Sequence, residues 1–382
     1  MEEWYLTKIE SICKRVCSGG TPKSTVEEYY GGEIPWLNTK EVNFNRIYST
    51  ESTITEDGLK NSSAKWIDKN AVIVAMYGAT AAKCAIGMIP MTTNQACCNL
   101  MIDETKADYR FVYYSIVNSY SILAGLANGG AQQNLNAQQI KDFEISLPSL
   151  ETQKQIADIL STIDDKIELN NRINHNLEEQ AKHHFYEWCR NCNEEKSIAE
   201  LSFNILDYSQ NQRDKVILLN SSDVTEGIFE AIPYVENKDL KGQFKKRFRK
   251  GDILYSEIRP RNHHYAICYF DAEDYIASTR LMIIRRNPEL LSSDALLYQY
   301  LLMPRVEEEF TSKTESRSGT FPQGNYEDLS ASVVPYSREN QVISDTLDSL
   351  YSIVWLNMEE NKRLAFFRDA LLPMLMSRDL TC

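Results

Sequence analysis

The residue types best suited to bind a metal lie near the middle of the chain. Cys189 and Cys192 have the spacing of a zinc-ligand pair, and His183 and His184 precede them. A structural zinc site needs four ligands, commonly supplied as two spaced pairs. The sequence contains no second Cys-x-x-Cys pair. We therefore predict no metal site and interpret the two cysteines as free thiols at the end of a helix.

Residues suited to catalysis are present, but in patterns that arise by chance. Acid-x-Lys triplets of the kind that nucleases use occur at 164–166, 236–238 and 360–362, and two of them fall on predicted long helices. GGTPKST (19–25) lacks the glycine that precedes the lysine of a phosphate-binding loop, and no GxGxxG motif for a dinucleotide occurs. The aromatic-flanked Pro-Pro motif of amino-methyltransferases is missing. The sequence thus predicts a chain that is not an enzyme and binds no cofactor.

The remaining polar residues are of the types that read DNA. Asn and Gln can pair with adenine and Arg with guanine in the major groove, while Lys suits phosphate. A solvated loop is the commoner role for any one such residue, but two repeated sets carry more weight. In the first half the predicted DNA contacts are Thr21, Lys23, Ser24, Asn38, Lys40, Tyr77, Thr80, Lys83, Gln95, Gln132 and Asn134. In the second half they are Ser222, Lys245, Lys246, Arg247, Arg249, Arg259, Arg261, Asn262, Arg280, Arg317 and Gln323.

The overall charge limits how such residues would be used. The net charge is −13, and basic residues cluster only locally, at 245–250 and at Arg259 and Arg261. A DNA-binding domain is usually basic, so tight binding by the isolated chain is not expected. Recognition inside a larger complex stays possible because partner subunits can neutralise part of the phosphate charge.

The elements that must position these residues occur twice. The segment 145–180 ends in a long amphipathic helix, and 332–364 repeats it: Leu160/Leu347, Asn170/Asn357 and Asn174/Asn361 share one offset. The period is far too long for a solenoid, so the repeated unit is a globular domain followed by a helix. The second copy keeps the order of elements, with Lys250 over Lys69, Tyr265 over Cys84 and Asn325 over Asn136.

Each long helix carries a single apolar stripe. Apolar residues recur at helical spacing from Ile156 to Trp188 and from Ile343 to Leu371, and the second stripe ends at Pro373. About 38 residues span roughly 57 Å. Helices of this length need a partner for the stripe, so we predict that the two form an antiparallel coiled coil. The alternative is that each packs on its own domain.

The fold class predicted from these elements is α+β, with a pseudo-two-fold internal repeat. The expected divisions are a domain at 1–148, a helix at 149–192, a domain at 193–335 and a helix at 336–382. Short apolar runs bounded by turn residues predict the strands of the first domain, and one helix is expected over 109–126. The predicted strands are 34–38, 71–77, 84–89, 97–102 and 143–147.

The compartment is predicted from cysteines and from apolar runs. The nine cysteines are scattered and odd in number, which favours reduced thiols in a cytoplasm over a disulfide framework. The first residues, MEEWYLTKIE, do not resemble a signal peptide. No apolar stretch approaches the roughly 20 residues of a membrane span, so we expect no membrane contact.

Several longer motifs together resemble one known family. GGTPKS (19–24), GGEIPWLNTKEV (31–42), MYGAT (76–80) and the stretch from QQNLN through PSLETQKQIADIL to IELNN (132–171) are similar to the specificity subunit of type I restriction–modification systems. The C-terminal ALLPMLMSRDL is similar to the end of that subunit. The resemblance implies two target-recognition domains, each reading half of an asymmetric bipartite site in double-stranded DNA, with the helices as a spacer.

The resemblance also implies the partners. Two methyltransferase subunits would dock on the chain and methylate adenines with S-adenosylmethionine bound by them, and ATP-dependent restriction subunits would complete the complex. The second copy departs from the family pattern, with LDYSQNQRDK (206–215) opposite GGTPK and FPQGN (321–325) opposite QQNLN. Unlike loops predict unlike half-sites. Two alternatives stay open: a two-domain nuclease or methyltransferase with an unrecognised active site, and an adaptor whose domains bind protein.

Overall fold

The computed structural model describes residues 4–127, 134–230, 232–238, 240, 242–317 and 322–377. The chain divides into two compact units of mixed α/β structure. Unit 1 comprises Met1–Glu168 with Asn361–Cys382, and unit 2 comprises Leu169–Glu360. Among the described residues, no helix combines the length and the apolar character needed to cross a membrane.

The described residues of unit 1 form ten strands and four short helices, and the chain then enters a long helix. The strands are β1 (Tyr5–Lys8), β2 (Cys13–Ser18), β3 (Tyr30–Leu37), β4 (Asn45–Ile47), β5 (Ser52–Ile54), β6 (Val72–Ala75), β7 (Cys84–Gly87), β8 (Thr92–Thr93), β9 (Cys97–Ile102) and β10 (Glu144–Leu147). The helices are α1 (Glu56–Lys60), α2 (Tyr109–Asn118), α3 (Tyr120–Ala127), α4 (Ala137–Asp142) and the long α5 (Leu150–Cys189), which also contributes to unit 2.

The main sheet of unit 1 has the strand order β2-β9-β6-β7-β4, and β5-β3-β8 forms a second sheet. Every residue of β6 and β9 is buried. Strands covered on both faces read as continuous apolar runs rather than as alternating patterns, which explains why these two were predictable from sequence. The core joins the sheet to Phe111 of α2, Leu160 of α5 and Leu372 near the C-terminus.

Unit 2, over the part of it that the structure describes, has twelve strands and four short helices of its own. The strands are β11 (Glu194–Ser197), β12 (Ser202–Asn204), β13 (Lys215–Leu219), β14 (Val224–Thr225), β15 (Ile228–Phe229), β16 (Val235–Glu236), β17 (Phe244–Lys246), β18 (Ile253–Ser256), β19 (Tyr265–Ile267), β20 (Tyr275–Ser278), β21 (Leu281–Arg286) and β22 (Val333–Tyr336). The helices are α6 (Ile198–Leu201), α7 (Asp294–Leu301), α8 (Pro304–Glu315), α9 (Tyr326–Ser330) and the long α10 (Gln341–Leu375). The strands form two four-stranded sheets, β12-β21-β18-β19 and β16-β13-β20-β17, besides two small pairs.

The backbone of unit 2 repeats unusual conformations of unit 1. Left-handed backbone is rare outside glycine, so its recurrence at matched positions is a strong sign of a shared fold. The matched positions with positive φ are Phe44/Glu226, Asn70/Gly251, Gly78/Arg259 and Ala82/His263. Asn136 and Asn325 also match, since each caps a helix (α4 and α9) through a reciprocal capping box.

Segments of the two long helices contact each other inside each unit. In unit 1, Arg368 Nη1 donates to Asp164 Oδ1 at 2.8 Å. In unit 2, Asn170 Nδ2 donates to Glu360 Oε2 at 2.7 Å, and Asn357 Nδ2 donates to Asn174 Oδ1 at 2.8 Å. Positions that rise along α5 therefore face positions that fall along α10, so the segments within unit 2 run antiparallel.

The second long helix runs past Pro373, where its apolar stripe ends, to Leu375, with the proline in its last turn.

Candidate nucleic-acid interface

Strand register brings three loops of unit 1 to one edge of its main sheet. Ser18 at the end of β2 pairs with Cys98, and Ala75 at the end of β6 pairs with Cys97, at the start of β9. Val74 pairs with Cys84, where β7 begins. The loops that follow β2 and β6 and those that precede β7 and β9 therefore leave the sheet at the same edge. They contain most of the predicted DNA contacts of this unit.

The Gly-Gly-Thr-Pro turn is held against this edge by close backbone contacts. Gly20 N donates to Thr93 O at 2.8 Å, and Trp36 Nε1 donates to Gly20 O at 2.9 Å. A Cβ on Gly20 would lie 2.1 Å from Ala64 N, so no other residue fits there. The turn leaves the predicted contacts Thr21, Lys23 and Ser24 exposed beyond it.

The loops after β3 and before β9 are joined by an amide pair. Asn94 Nδ2 donates to Asn38 Oδ1 at 3.1 Å, so Asn38 is half-buried and already bonded. Lys40 is exposed and lies 2.5 Å from a Glu51 carboxylate oxygen. Gln95 is exposed beside Asn94. Only the last two offer side chains that extend away from the surface.

The segment after β6 completes the unit 1 cluster. Tyr77 is 42% exposed and forms an isolated β-bridge with Asn134, which is exposed. Thr80 ends the short turn after Tyr77, and Lys83 donates to Asn43 Oδ1 at 2.7 Å. The predicted contact Gln132 lies outside the described residues.

Unit 2 builds the same cluster with different side chains. Ile258 forms an isolated bridge with Gln323, at the places that Tyr77 and Asn134 hold in unit 1. Gln323 Nε2 donates to Glu257 Oε2 at 2.6 Å, and Arg280 donates to Gln323 Oε1. Register explains the arrangement, because β18 ends at Ser256 opposite Leu281, the first residue of β21.

Arg317 extends this cluster. Its guanidinium donates to Gln323 O and lies 2.7 Å from Asp328 Oδ2. Arg280, Arg317 and Gln323 are thus brought together as predicted contacts, with Arg280 and Arg317 exposed. Sequence reasoning missed Glu257, whose carboxylate orients Gln323. Nothing in the sequence pattern distinguishes this glutamate from a surface residue, since only register brings it to the cluster.

The loop after β18 contains a strained arginine. Arg259 has φ 50° and ψ 61°, where unit 1 has Gly78 with φ 73°. A left-handed conformation costs an L-residue roughly 1–2 kcal/mol. Such strain tends to persist at functional positions. Beyond it, Asn262 is exposed and Arg261 forms two hydrogen bonds to the Glu315 carboxylate, at 2.7 and 3.0 Å.

The predicted basic cluster at 245–250 is divided by the pleat of β17. Lys246 points inward, is 4% exposed and donates Nζ to Leu281 O at 2.7 Å. Burial lowers the pKa of this amine, against the nearby Glu257. Lys246 was predicted to contact DNA, but its side chain is buried and binds a backbone carbonyl instead.

The other members of that set face outward to different degrees. Lys245 and Arg249 are exposed, and Arg247 is half-buried with its guanidinium donating to Glu273 O at 3.1 Å. Ser222 is exposed in the short turn at 221–223, with its hydroxyl 3.4 Å from Asp223 Oδ1. With Lys250, which is also exposed, the cluster thus offers three exposed cations.

The candidate metal ligands of the sequence were compared with the side-chain clusters of the described residues. In the described part of the chain, no group of three or more His, Cys, Asp or Glu side chains is placed to hold a metal ion. Cys189 is buried, and burial raises the pKa of its thiol to about 12, which makes it a poor nucleophile. His263 lies between Glu226 and Glu307, at 3.5 and 3.2 Å.

Comparison with known proteins shows what the first part of the chain is similar to. Residues 1–179 match the family model described as Type I restriction modification DNA specificity domain. The chain is 35% identical over 180 residues to the type I restriction enzyme HindI specificity subunit of Haemophilus influenzae, covering 46% of this chain and 39% of that protein. It is 32% identical over 191 residues to the MjaIX specificity subunit of Methanocaldococcus jannaschii, covering 49% and 44%. These alignments span less than half the length of either relative.

The fold was also compared with solved structures. The S subunit of a type I restriction-modification system from M. genitalium superposes with a TM-score of 0.58 at 17% identity, covering 100% of this chain and 97% of that one. At this identity the match establishes the fold. The resemblance stated from the sequence motifs is confirmed by these relatives.

Proposed function

We propose that this chain, whose residues 1–179 belong to the family of type I restriction modification DNA specificity domains, is the DNA-specificity subunit of a type I restriction–modification complex. Each unit reads one half of an asymmetric bipartite site in double-stranded DNA, and the chain itself catalyses no reaction. The observation that carries the proposal is the repeated loop cluster, in which one backbone arrangement presents two different sets of side chains.

The two clusters differ in the way that two half-sites would require. Unit 1 presents Tyr77, Gln95 and Asn134, and amide side chains pair bidentately with adenine. Unit 2 presents Arg280 and Arg317, and guanidinium groups pair bidentately with guanine. The bridge Tyr77–Asn134 in unit 1 is matched by Ile258–Gln323 in unit 2, and Arg280 and Arg317 both donate to Gln323. We infer that unit 1 favours adenine and unit 2 guanine at the positions read from these places.

The lysines and hydroxyl residues at the rim suit the phosphate backbone. Lys23 and Ser24 are exposed on the turn of unit 1, and Lys245 is exposed in unit 2. Contacts to phosphate fix the position of a protein on the duplex but carry no sequence information. The remaining exposed predicted contacts are assigned this positioning role: Thr21, Lys40, Ser222, Arg249, Arg259, Arg261 and Asn262.

The long helices supply the spacer. The antiparallel contacts within unit 2 support an antiparallel coiled coil of α5 and α10. The 40 residues of α5 correspond to about 60 Å of helix. Half-sites read on one face of B-DNA lie about 34–36 Å apart per helical turn, a separation that two domains on such a helix pair can match.

The partners follow from the same proposal. Two methyltransferase subunits dock on the chain and bring S-adenosylmethionine, and restriction subunits that use ATP complete the assembly in the cytoplasm. The net charge of −13 fits this division of labour, because the partners then supply part of the positive charge that DNA requires.

A single experiment tests the proposal against the two alternatives. The methylated bases of cells that carry this gene with its methyltransferase partner are mapped by single-molecule sequencing, and the map is compared with that of cells lacking the gene. We expect a bipartite, asymmetric adenine motif that disappears with the gene. Methylation by the purified chain alone would favour the enzyme, and an active partner without any gene-dependent motif would favour the adaptor.

A further inference from the structure

A cavity of 390 Å³ in unit 2 takes no part in the proposed reading of DNA. Side chains from α5, α7 and α10 line it, together with the loop after β14 and the first residue of β19. Carboxylates and phenols dominate the lining, including Glu178, Glu226, Tyr265, Tyr298 and Tyr351. A pocket of this composition offers negative charge and aromatic faces.

One tyrosine of this lining is almost fully buried. Tyr298 is 4% exposed as a residue, and no described residue forms a hydrogen bond with its hydroxyl, which borders the cavity. Burial raises the pKa values of Tyr298, Tyr351 and Tyr265, the last to about 12, and the negative charge of Glu178 contributes to raising all three. Glu178 and these phenols line the same cavity.

Unit 1 shows what the matched place contains when it is filled. α2 and α7 begin directly after their caps, Asp108 and Ser293, so Tyr113 matches Tyr298. The next residue of each helix forms a hydrogen bond with a matched position on a long helix, since the repeat offset aligns Asp164 with Tyr351. Tyr114 Oη donates to Asp164 at 2.5 Å, and Gln299 Nε2 donates to Tyr351 Oη at 2.7 Å.

In unit 1 a guanidinium occupies this place. Arg368 donates Nη1 to Asp164 Oδ1 at 2.8 Å, and its charge acts on the phenols of Tyr113 and Tyr114. The offset of the internal repeat aligns Arg368 with Ala181, which is 1% exposed. Among the described residues that line the cavity of unit 2, which include the matched Tyr298 and Tyr351, none is an arginine.

We propose that the cavity of unit 2 receives the guanidinium group of an arginine presented by a protein partner. Glu178 and Glu226 supply the opposite charge, and tyrosine faces attract a cation. The lysine in the lining, Lys182, lies 3.7 Å from Glu179 and so is matched by a separate carboxylate. DNA phosphate would be repelled by this lining, so the occupant is a protein side chain. The proposed function supplies the partner, a methyltransferase subunit, and in this respect the inference rests on it.

A first experiment measures the chemistry of the cavity without any partner. Nα-acetyl-arginine amide is titrated into the full chain and followed by NMR, with Nα-acetyl-citrulline amide as the neutral probe of the same shape. We expect saturable binding of the arginine probe and at least tenfold weaker binding of the citrulline probe. Equal affinities, or no saturable arginine binding, would overturn the proposal.

Substitutions then assign the binding to this cavity. Glu178→Gln should weaken the arginine probe at least fivefold, while Glu151→Gln, the same change on an exposed residue of the same helix, should leave it unchanged. Ala181→Arg should block the cavity as Arg368 does in unit 1. Because a buried Ala181→Arg can disturb folding, Tyr298→Phe provides a volume-conserving variant with at least threefold weaker binding. Unchanged affinity in both Glu178→Gln and Tyr298→Phe would refute the site.

A second experiment identifies the partner. A photo-crosslinking residue replaces the exposed Glu179 in the complex reconstituted with the purified methyltransferase subunit. We expect a crosslink to an arginine-containing peptide of that subunit, and crosslinks confined to this chain would overturn the assignment of the partner. The probe titration does not depend on DNA, and the methylation map does not depend on this cavity, so failure of the cavity and failure of the specificity function are distinguished.

Discussion

Two substitutions of Arg259 can separate the effect of its strained backbone on stability from the effect of its side chain on DNA binding. Its backbone is left-handed, with φ 50°, so replacing it by glycine and by alanine removes the same guanidinium but treats the backbone differently. The left-handed region costs an alanine roughly 1–2 kcal/mol more than a glycine, partly offset by the greater chain entropy that glycine loses on folding. We therefore expect Arg259→Gly to be more stable than Arg259→Ala by about 1 kcal/mol.

Unit 1 provides the matched control. Gly78 has φ 73°, and a Cβ built there meets no atom within 4 Å. Gly78→Ala therefore changes only the backbone preference and should cost about 1 kcal/mol. Urea unfolding measures both differences as shifts in midpoint at an unchanged slope. An Arg259→Ala variant more stable than Arg259→Gly would refute the left-handed assignment on which the reasoning depends.

DNA binding separates the second contribution. Both Arg259 variants lack the guanidinium, so we expect the assembled complex to lose the same affinity with either, whatever their difference in stability. A contact to phosphate would weaken all sequences alike, whereas a contact to a base would relax one position. If Arg259→Gly retained full affinity while Arg259→Ala lost it, the backbone rather than the side chain would determine recognition.

Three further predictions concern specificity, stability and spacing. Arg280→Ala should cost about 1–3 kcal/mol of binding free energy at one base pair and relax the specificity there, whereas Lys23→Ala should weaken binding to all sequences alike. A binding assay on a panel of substituted sites separates the two, and a uniform loss for Arg280→Ala would contradict base reading. Asn136→Ala and Asn325→Ala each remove a capping box and should lower the free energy of unfolding by about 1 kcal/mol. A much smaller change in both variants would argue against the matched caps. Seven residues inserted within 160–174 add about 10 Å of helix, so the spacer of the methylated motif should lengthen by roughly three base pairs while both half-sites stay unchanged. An altered half-site would refute the spacer role.

The sequence by itself predicted the elements whose signal is local. The apolar stripe of the first long helix repeats within a few residues, and the structure has that helix at Leu150–Cys189. Continuous apolar runs predicted β6 and β9 because both strands are covered on both faces. The internal repeat and the family motifs are also properties of the order of residues. They needed no coordinates to suggest a two-domain specificity subunit.

Other strands left no such signal. β2 reads CKRVCS, with its lysine and arginine exposed, and it was not predicted because its apolar content is too low for a buried run. Likewise Lys246 looked like a DNA contact among its basic neighbours. The pleat of β17 turns it inward to a backbone carbonyl, and the direction of a single side chain depends on strand register rather than on composition.

Only the tertiary structure decided which residues share a site. The loops of each cluster lie far apart in the sequence, and they meet because antiparallel register aligns the ends of their strands. The same holds for Arg368, which comes from the last helix yet fills a place among residues of the first unit. Local patterns determine which segments form helices and strands, because those depend on neighbours in the chain. Contacts between distant segments depend on how the cores pack, and so the interface and the empty cavity of unit 2 became visible only in the folded protein.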